Sequence, residues 1–263
     1  MTGDSTTVTV LGLGEAGRRY ASGLARAGAV VRGFDPAHQL DAPEVTQFTD
    51  LAAALHGADV ALSLVSGRAA ASVARDALPH LPRGSVYADL NTGSPEVKQQ
   101  IARLAADREV LMADAAVLGP VVRAGHRTRV LASGPGAQAL ADLLAPFEVP
   151  VEVLAAGAGE AARLRLLRSV FMKGLAALVI EGLDAARASG AEGWLHEQMA
   201  RELGPDGDAL VHRLVEGTRR HAARREHEVR DALAMLESAG QPADMTRATL
   251  AWLERLAGGD ETA

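Results

Sequence analysis

Thr7-Val8-Thr9-Val10-Leu11-Gly12-Leu13-Gly14-Glu15-Ala16-Gly17 decides the fold of this 263-residue chain. Four β-branched residues, Thr7 to Val10, predict a strand, because branching at Cβ favours extended backbone. The strand runs into a G-x-G-x-x-G turn, and a helical pattern follows over 14–27. A second apolar strand over 29–34 ends in Asp35, 18 residues beyond Gly17. Gly12 permits the bend, Gly14 lets a phosphate approach the backbone, and Gly17 lets helix and strand close up. N–H groups of the turn and helix start, among them Leu13, Glu15 and Ala16, face an anion together with the positive end of the helix dipole. A carboxylate at Asp35 suits the two hydroxyls of an adenosine ribose and repels a 2′-phosphate. The combination predicts an NAD(P) site, with NAD favoured over NADP.

Working outward, β-rich runs at 60–65, 84–90, 110–113, 129–133 and 149–153 alternate with helical ones. Ser94-Pro95-Glu96 opens one helix, with an N-cap hydroxyl, a first-turn proline and an acid at the positive dipole end. Alternation of this kind predicts an α/β Rossmann domain over 1–154, a doubly wound parallel sheet. After Leu154 the pattern turns helical. Residues 159–190 are apolar on almost every face, which predicts one long buried helix. Amphipathic helices follow over 194–202, 206–217, 219–239 and 245–257. The expected second domain, 155–263, is all-α and too small to bury a central helix alone, so a homodimer is expected.

A net charge of −6 argues against a nucleic-acid surface. Absence of cysteine excludes thiol chemistry and cysteine metal sites. No histidine–carboxylate spacing suggests a metal, and none is expected. Lys173 and Glu181 interrupt the longest apolar stretch, so no membrane span is expected. The first strand starts too early for a cleavable leader, and the expected location is cytoplasmic. Of 27 lysines and arginines, two are lysines, Lys98 and Lys173.

In the order of its parts the chain resembles the β-hydroxyacid dehydrogenase superfamily, which includes 3-hydroxyisobutyrate and 6-phosphogluconate dehydrogenases and imine reductases. More narrowly, it looks like a short 6-phosphogluconate-dehydrogenase-like branch with its own C-terminal helical domain. Four segments carry the resemblance: Gly12–Gly17 with Asp35, Asp89-Leu90-Asn91-Thr92-Gly93-Ser94-Pro95, Asp114-Ala115-Ala116-Val117-Leu118-Gly119-Pro120, and Gly157-Ala158-Gly159 with the helix after it. The resemblance implies hydride transfer between nicotinamide and a small, anionic substrate such as a hydroxy acid. It implies substrate contacts at Val117, Leu118 and Gly119. Leu118 stands where the family has a serine, Pro120 where it has a glycine, Arg165 where it has the catalytic lysine, and Ser169 where it has an asparagine.

Arginine is a poor proton donor or acceptor, since its pKa lies above about 12. It suits a bidentate clamp on a carboxylate or phosphate. Arg165, Ser169 and Lys173 follow at four-residue steps, a slanted polar stripe on an apolar helix. The expected roles are anchor for Arg165 and proton relay for Lys173, unless Lys173 is paired with a carboxylate such as Glu181 or Glu160 or snorkels to solvent. Ser66, Asn91 and Thr92 follow strands and are placed to line the cofactor cleft. His126 follows Arg123-Ala124-Gly125 in the substrate-side loop and suits polarisation of a carbonyl. His221, Arg224, Arg225 and Glu228 share one helix face, which reads as solvated or as closing a partner's cleft. Two alternatives stay open: reduction of a C=N bond, and a catalytically weakened NAD-binding sensor or assembly protein.

Overall fold

The computed structural model describes residues 6–258. Eight strands form one sheet: β1 (Thr7–Leu11), β2 (Val30–Phe34), β3 (Thr46–Phe48), β4 (Val60–Ser63), β5 (Val86–Asp89), β6 (Leu111–Val117), β7 (Val130–Ser133) and β8 (Val151–Val153). Their order is β3-β2-β1-β4-β5-β6-β7-β8. The first six strands thus follow the 3-2-1-4-5-6 order of a dinucleotide-binding sheet. Six helices accompany them: α1 (Glu15–Arg26), α2 (Leu51–Leu55), α3 (Ala70–Ala77), α4 (Pro95–Ala106), α5 (Val121–Ala124) and α6 (Ala137–Leu144). Five more follow: α7 (Glu160–Ala188), α8 (Glu192–Glu202), α9 (Gly207–Arg220), α10 (Ala222–Ser238) and α11 (Asp244–Gly258).

The expected α/β class is observed, with one difference in direction. Neighbouring strands are parallel except β6 and β7, which run antiparallel. Between them lie the four residues of α5 and a single 3-10 turn. A parallel return needs a longer crossover, usually a full helix, so the chain doubles back.

Both faces of the sheet are covered, and its central strands are mostly apolar and buried. On one face Val8, Val10, Val60 and Leu62 pack with Tyr20 and Leu24 of α1 and Leu140 and Leu144 of α6. On the other, Leu11, Ala61, Tyr87 and Met112 pack with Ala74 and Ala77 of α3 and Ile101 and Ala105 of α4. Alanines on α3 and α4 let these helices approach the sheet closely. Pro95 and Glu96 stand in the first turn of α4, and Ser94 occupies its N-cap with extended backbone, but its hydroxyl makes no capping hydrogen bond.

The described residues fall into two compact units, divided between Arg165 and Leu166. In the second, Ala176, Val179 and Leu183 of α7 pack with Val211 and Leu214 of α9. Trp252 of α11 donates its indole N–H to Glu181 of α7. Leu167, Phe171 and Leu178 of α7 are exposed, Phe171 by 66%. With Gly174 these positions recur at steps of four, three and four residues, a single stripe along the helix.

Candidate functional site

Strand order reverses between β1 and β4, and the loops at the carboxyl ends of these strands form the crevice where an open α/β sheet binds ligands. The glycine turn joins β1 to α1. Gly12 has φ +89°, a conformation that favours glycine, and its N–H donates to Phe34 O at 2.9 Å. A Cβ on Gly12 would lie 2.7 Å from Leu64 O, just beyond β4. One on Gly17 would lie 1.8 Å from Gly12 O. Gly14 differs: a Cβ there would meet nothing within 4 Å. It is also the N-cap of α1, and no side chain caps that helix. No N-cap side chain occupies the first-turn N–H groups of α1, and the space beside Gly14 is open, a cradle that fits a pyrophosphate.

Asp35, at the end of β2, faces the same turn. Its Oδ2 accepts from Leu13 N at 2.7 Å, and its Oδ1 from Ala37 N at 2.8 Å and His38 N at 3.0 Å. Partial burial raises its pKa, but these three N–H bonds and the His38 ring outweigh that and hold it below the usual carboxylate value. An ionised acid at this position accepts hydroxyls and disfavours a phosphate.

Loops after β4 and β5 meet beside the turn. A Cβ on Gly67 would lie 2.1 Å from Thr92 O, so Ser66 and Thr92 belong to adjoining backbones. Asn91 is buried, and its amide donates to Ser63 Oγ at 2.9 Å and Asp89 Oδ1 at 2.5 Å. The structure thus commits the Asn91 N–H groups inward.

Beneath these loops lies a set of residues to which the sequence motifs assign no joint role. Ser63, Asp89, Asp114 and Ser133 are register partners on β4, β5, β6 and β7, one polar row across four strands. Lys98 of α4 is 1% exposed and reaches into that row. Its Nζ donates to Asp89 O at 2.9 Å and Asn91 O at 2.8 Å. It lies 3.2 Å from Asp89 Oδ2 and 3.6 Å from Asp114 Oδ1. Asp114 Oδ2 accepts from Gly159 N and Ala162 N at 3.0 Å and from Ser133 Oγ at 3.2 Å. A carboxylate thus caps the positive end of α7 from inside the sheet. Lys98 was visible as one of two lysines; its aspartates come from separate strands, and only strand register brings them together.

Val117 ends β6, and Leu118 N continues the ladder by donating to Arg129 O at 2.9 Å. Gly119 lies beside Thr128, whose Cγ2 is 3.4 Å from a notional Cβ. His126 sits in the 3-10 turn Gly125–Arg127 against Gly23 of α1, where a Cβ would be 2.2 Å from its Nδ1. Gly23 is eight residues past the start of α1, about 12 Å along its axis. The structure therefore does not bring His126 to the glycine turn. Burial, then the charge of Arg127, depresses its pKa.

Arg165 closes the first unit, half-buried on α7. Ser169 and Lys173, of the second unit, come together as the stripe predicts: Lys173 Nζ lies 3.3 Å from Ser169 Oγ. Lys173 is also ion-paired, with Glu228 Oε2 of α10 at 2.6 Å. Glu181 binds Trp252, and Glu160 pairs with Arg163. Arg224 adds a second cation 3.7 Å from Glu228 Oε1. Glu228 had been legible as one member of a charged helix face, not as the partner of Lys173.

Residues 7–148 match the family model described as the NAD binding domain of 6-phosphogluconate dehydrogenase. Residues 186–256 match a domain of unknown function (DUF1932). An uncharacterised 28.5 kDa protein of Methanothermus fervidus is 30% identical over 171 residues, 65% of each chain. A probable 3-hydroxyisobutyrate dehydrogenase of Mycobacterium tuberculosis is 31% identical over 169 residues, 60% of this chain and 57% of that one. The matches thus span 57–65% of the length of these curated relatives. Among solved structures, a conserved hypothetical protein from Sinorhizobium meliloti 1021 superposes with a TM-score of 0.74 at 30% identity, covering 96% of this chain and 88% of that one.

Proposed function

Because this chain belongs to the family of the NAD binding domain of 6-phosphogluconate dehydrogenase, we propose that it is an NAD(P)-dependent oxidoreductase acting on a small anionic hydroxy acid. The observation that carries the reading is the open, uncapped cradle at Gly14 with an ionised Asp35 beside it. Bound there, the nicotinamide cofactor supplies or accepts the hydride. The chain's own residues do the rest. The α1 N–H groups hold the pyrophosphate, and Asp35 takes the adenosine ribose, which favours NAD over NADP. Ser66 and Thr92 line the crevice. Arg165 clamps the substrate's carboxylate or phosphate, with Val117, Leu118 and Gly119 as further substrate contacts. Lys173, steadied by Ser169, moves the proton at the reacting oxygen. The expected form is a homodimer, for which the exposed stripe of Leu167, Phe171 and Leu178 supplies an apolar surface.

One observation favours a second reading, a catalytically weakened NAD-binding sensor or assembly protein. Lys173 is held 2.6 Å from Glu228, as a structural ion pair would be. Reduction of a C=N bond remains the alternative chemistry, since Arg165 replaces the lysine of the hydroxyacid enzymes.

Purified protein assayed on hydroxy acids, sugar acids and cyclic imines, with NAD and NADP compared, separates these readings. Turnover of a hydroxy acid is expected, with kcat lowered at least about 100-fold in Lys173→Ala, the scale of a lost acid–base group, while NAD affinity stays within twofold of the parent's. Near-parental kcat in Lys173→Ala would remove the relay assignment. Cofactor binding without turnover of any substrate would favour the sensor.

A further inference from the structure

Helices α8 and α9 of the second unit bring together three side chains that the proposed reaction does not use. Asp208 and His212 stand one turn apart on α9 and so share a face. His196 projects from α8, with Nδ1 3.6 Å from Asp208 Oδ1. Its ring centroid is 5.1 Å from that of His212, and the two planes are tilted by 57°. One ligand atom from each of the three lies within 4.8 Å of the others. We propose that His196, Asp208 and His212 form a binding site for a divalent transition-metal ion of the zinc type, which would clamp α8 to α9.

Donor chemistry supports that class. Two imidazoles and one carboxylate suit zinc, cobalt or nickel, whereas magnesium and calcium seek more oxygens. Bond lengths of about 2.0–2.2 Å at tetrahedral angles require ligand atoms about 3.4 Å apart. The observed spacing closes to that value by rotamer adjustment of Asp208 and His212, both exposed. His196 is the fixed member: its side chain is 23% exposed, and its Nε2 is buried without a hydrogen-bond partner among the described residues. Nδ1 is the ring atom turned toward Asp208, and a neutral imidazole protonated at Nε2 offers it as a ligand. The Asp208 side chain is 71% exposed, which leaves the fourth position to water and gives the ion a path in. Sequence reading expected no metal, because Asp208-x-x-x-His212 supplies two ligands and the third comes from another helix.

Isothermal titration of the EDTA-treated, dialysed full chain with zinc alone is expected to show one saturable site. His196→Ala and His212→Ala should each weaken it by at least 10- to 100-fold, a loss seen even when groups outside a metal's own ligand set are removed. His80→Ala, an exposed histidine of the first unit, should leave it unchanged. Zinc should also raise the thermal midpoint of the parent, by mass action, and not that of His212→Ala. His212 is exposed, so its variant keeps the test open should His196→Ala fail to fold. Absence of saturable binding, or binding equally strong in His212→Ala, overturns the proposal.

Discussion

Lys98→Met is expected to lower the stability of the first unit by about 3–5 kcal/mol, the range for removing one partner of a buried ion pair. Methionine fills most of the lysine's volume, so the loss measures charge and hydrogen bonding more than packing. What remains is two carboxylates, Asp89 and Asp114, both 0% exposed and without their cation. Carbonyls of Asp89 and Asn91 lose their Nζ donor as well. The strand-end loop that carries Asn91 and Thr92 is held from below by those two bonds, so the variant should bind NAD more weakly even where it remains folded. Urea unfolding followed by circular dichroism checks the first expectation and cofactor titration the second. The double variant Lys98→Met/Asp89→Asn should recover part of the loss, because one uncompensated charge is gone. A decrease below about 1 kcal/mol would mean that Asp89 and Asp114 take up a proton or water once their cation is gone.

Two alanine substitutions in the glycine turn should separate folding from binding. In Gly17→Ala the new methyl would sit 1.8 Å from Gly12 O, a backbone atom, so α1 must move off β1. Overpacking of this kind costs about 1–3 kcal/mol or more, and the displaced turn should lose NAD as well. In Gly14→Ala the methyl meets nothing within 4 Å, and the backbone there has φ −64°, which alanine accepts. Its stability should stay within about 0.5 kcal/mol of the parent. The same methyl projects into the cradle where the pyrophosphate must approach, so NAD affinity should fall by about 100-fold or more, two or more lost charge-assisted hydrogen bonds at about 1.5 kcal/mol each. Thermal melts and fluorescence titration of both variants check this. Undiminished NAD binding by Gly14→Ala would place the cofactor elsewhere.

The contrast between these positions shows what was legible in the sequence. Strand, turn, helix and acid from Thr7 to Asp35 lie close together in the chain, and each has its own residue signature, so the site's first half could be read directly. β3 could not: Thr46-Gln47-Phe48 is too short for a period. Nor could the direction of β7, since an apolar run reads alike whichever way it is laid in a sheet. The Lys98 cluster depends on the register that sets Asp89 opposite Asp114, and Lys173–Glu228 depends on how α7 meets α10. Contacts between residues 55 positions apart leave no local pattern to find. Long-range register, not propensity, decides them.

The polar row across β4 to β7 also governs how the chain can be divided. Composition changes after Leu154, yet Gly159 and Ala162 give their N–H groups to Asp114, and Ala161 gives its own to Ser133 at 3.0 Å. A fragment ending at residue 154 would leave the Asp114 carboxylate without two of its N–H donors and Ser133 Oγ without one, and should be expressed as an unstable product. A fragment ending at Arg165 would carry its own helical plug and should melt cooperatively. Proteolysis of the intact protein would read the same rule from the other side: the opening turn of α7 should survive with the sheet, so that the first turn of a helix behaves as the last piece of a different unit.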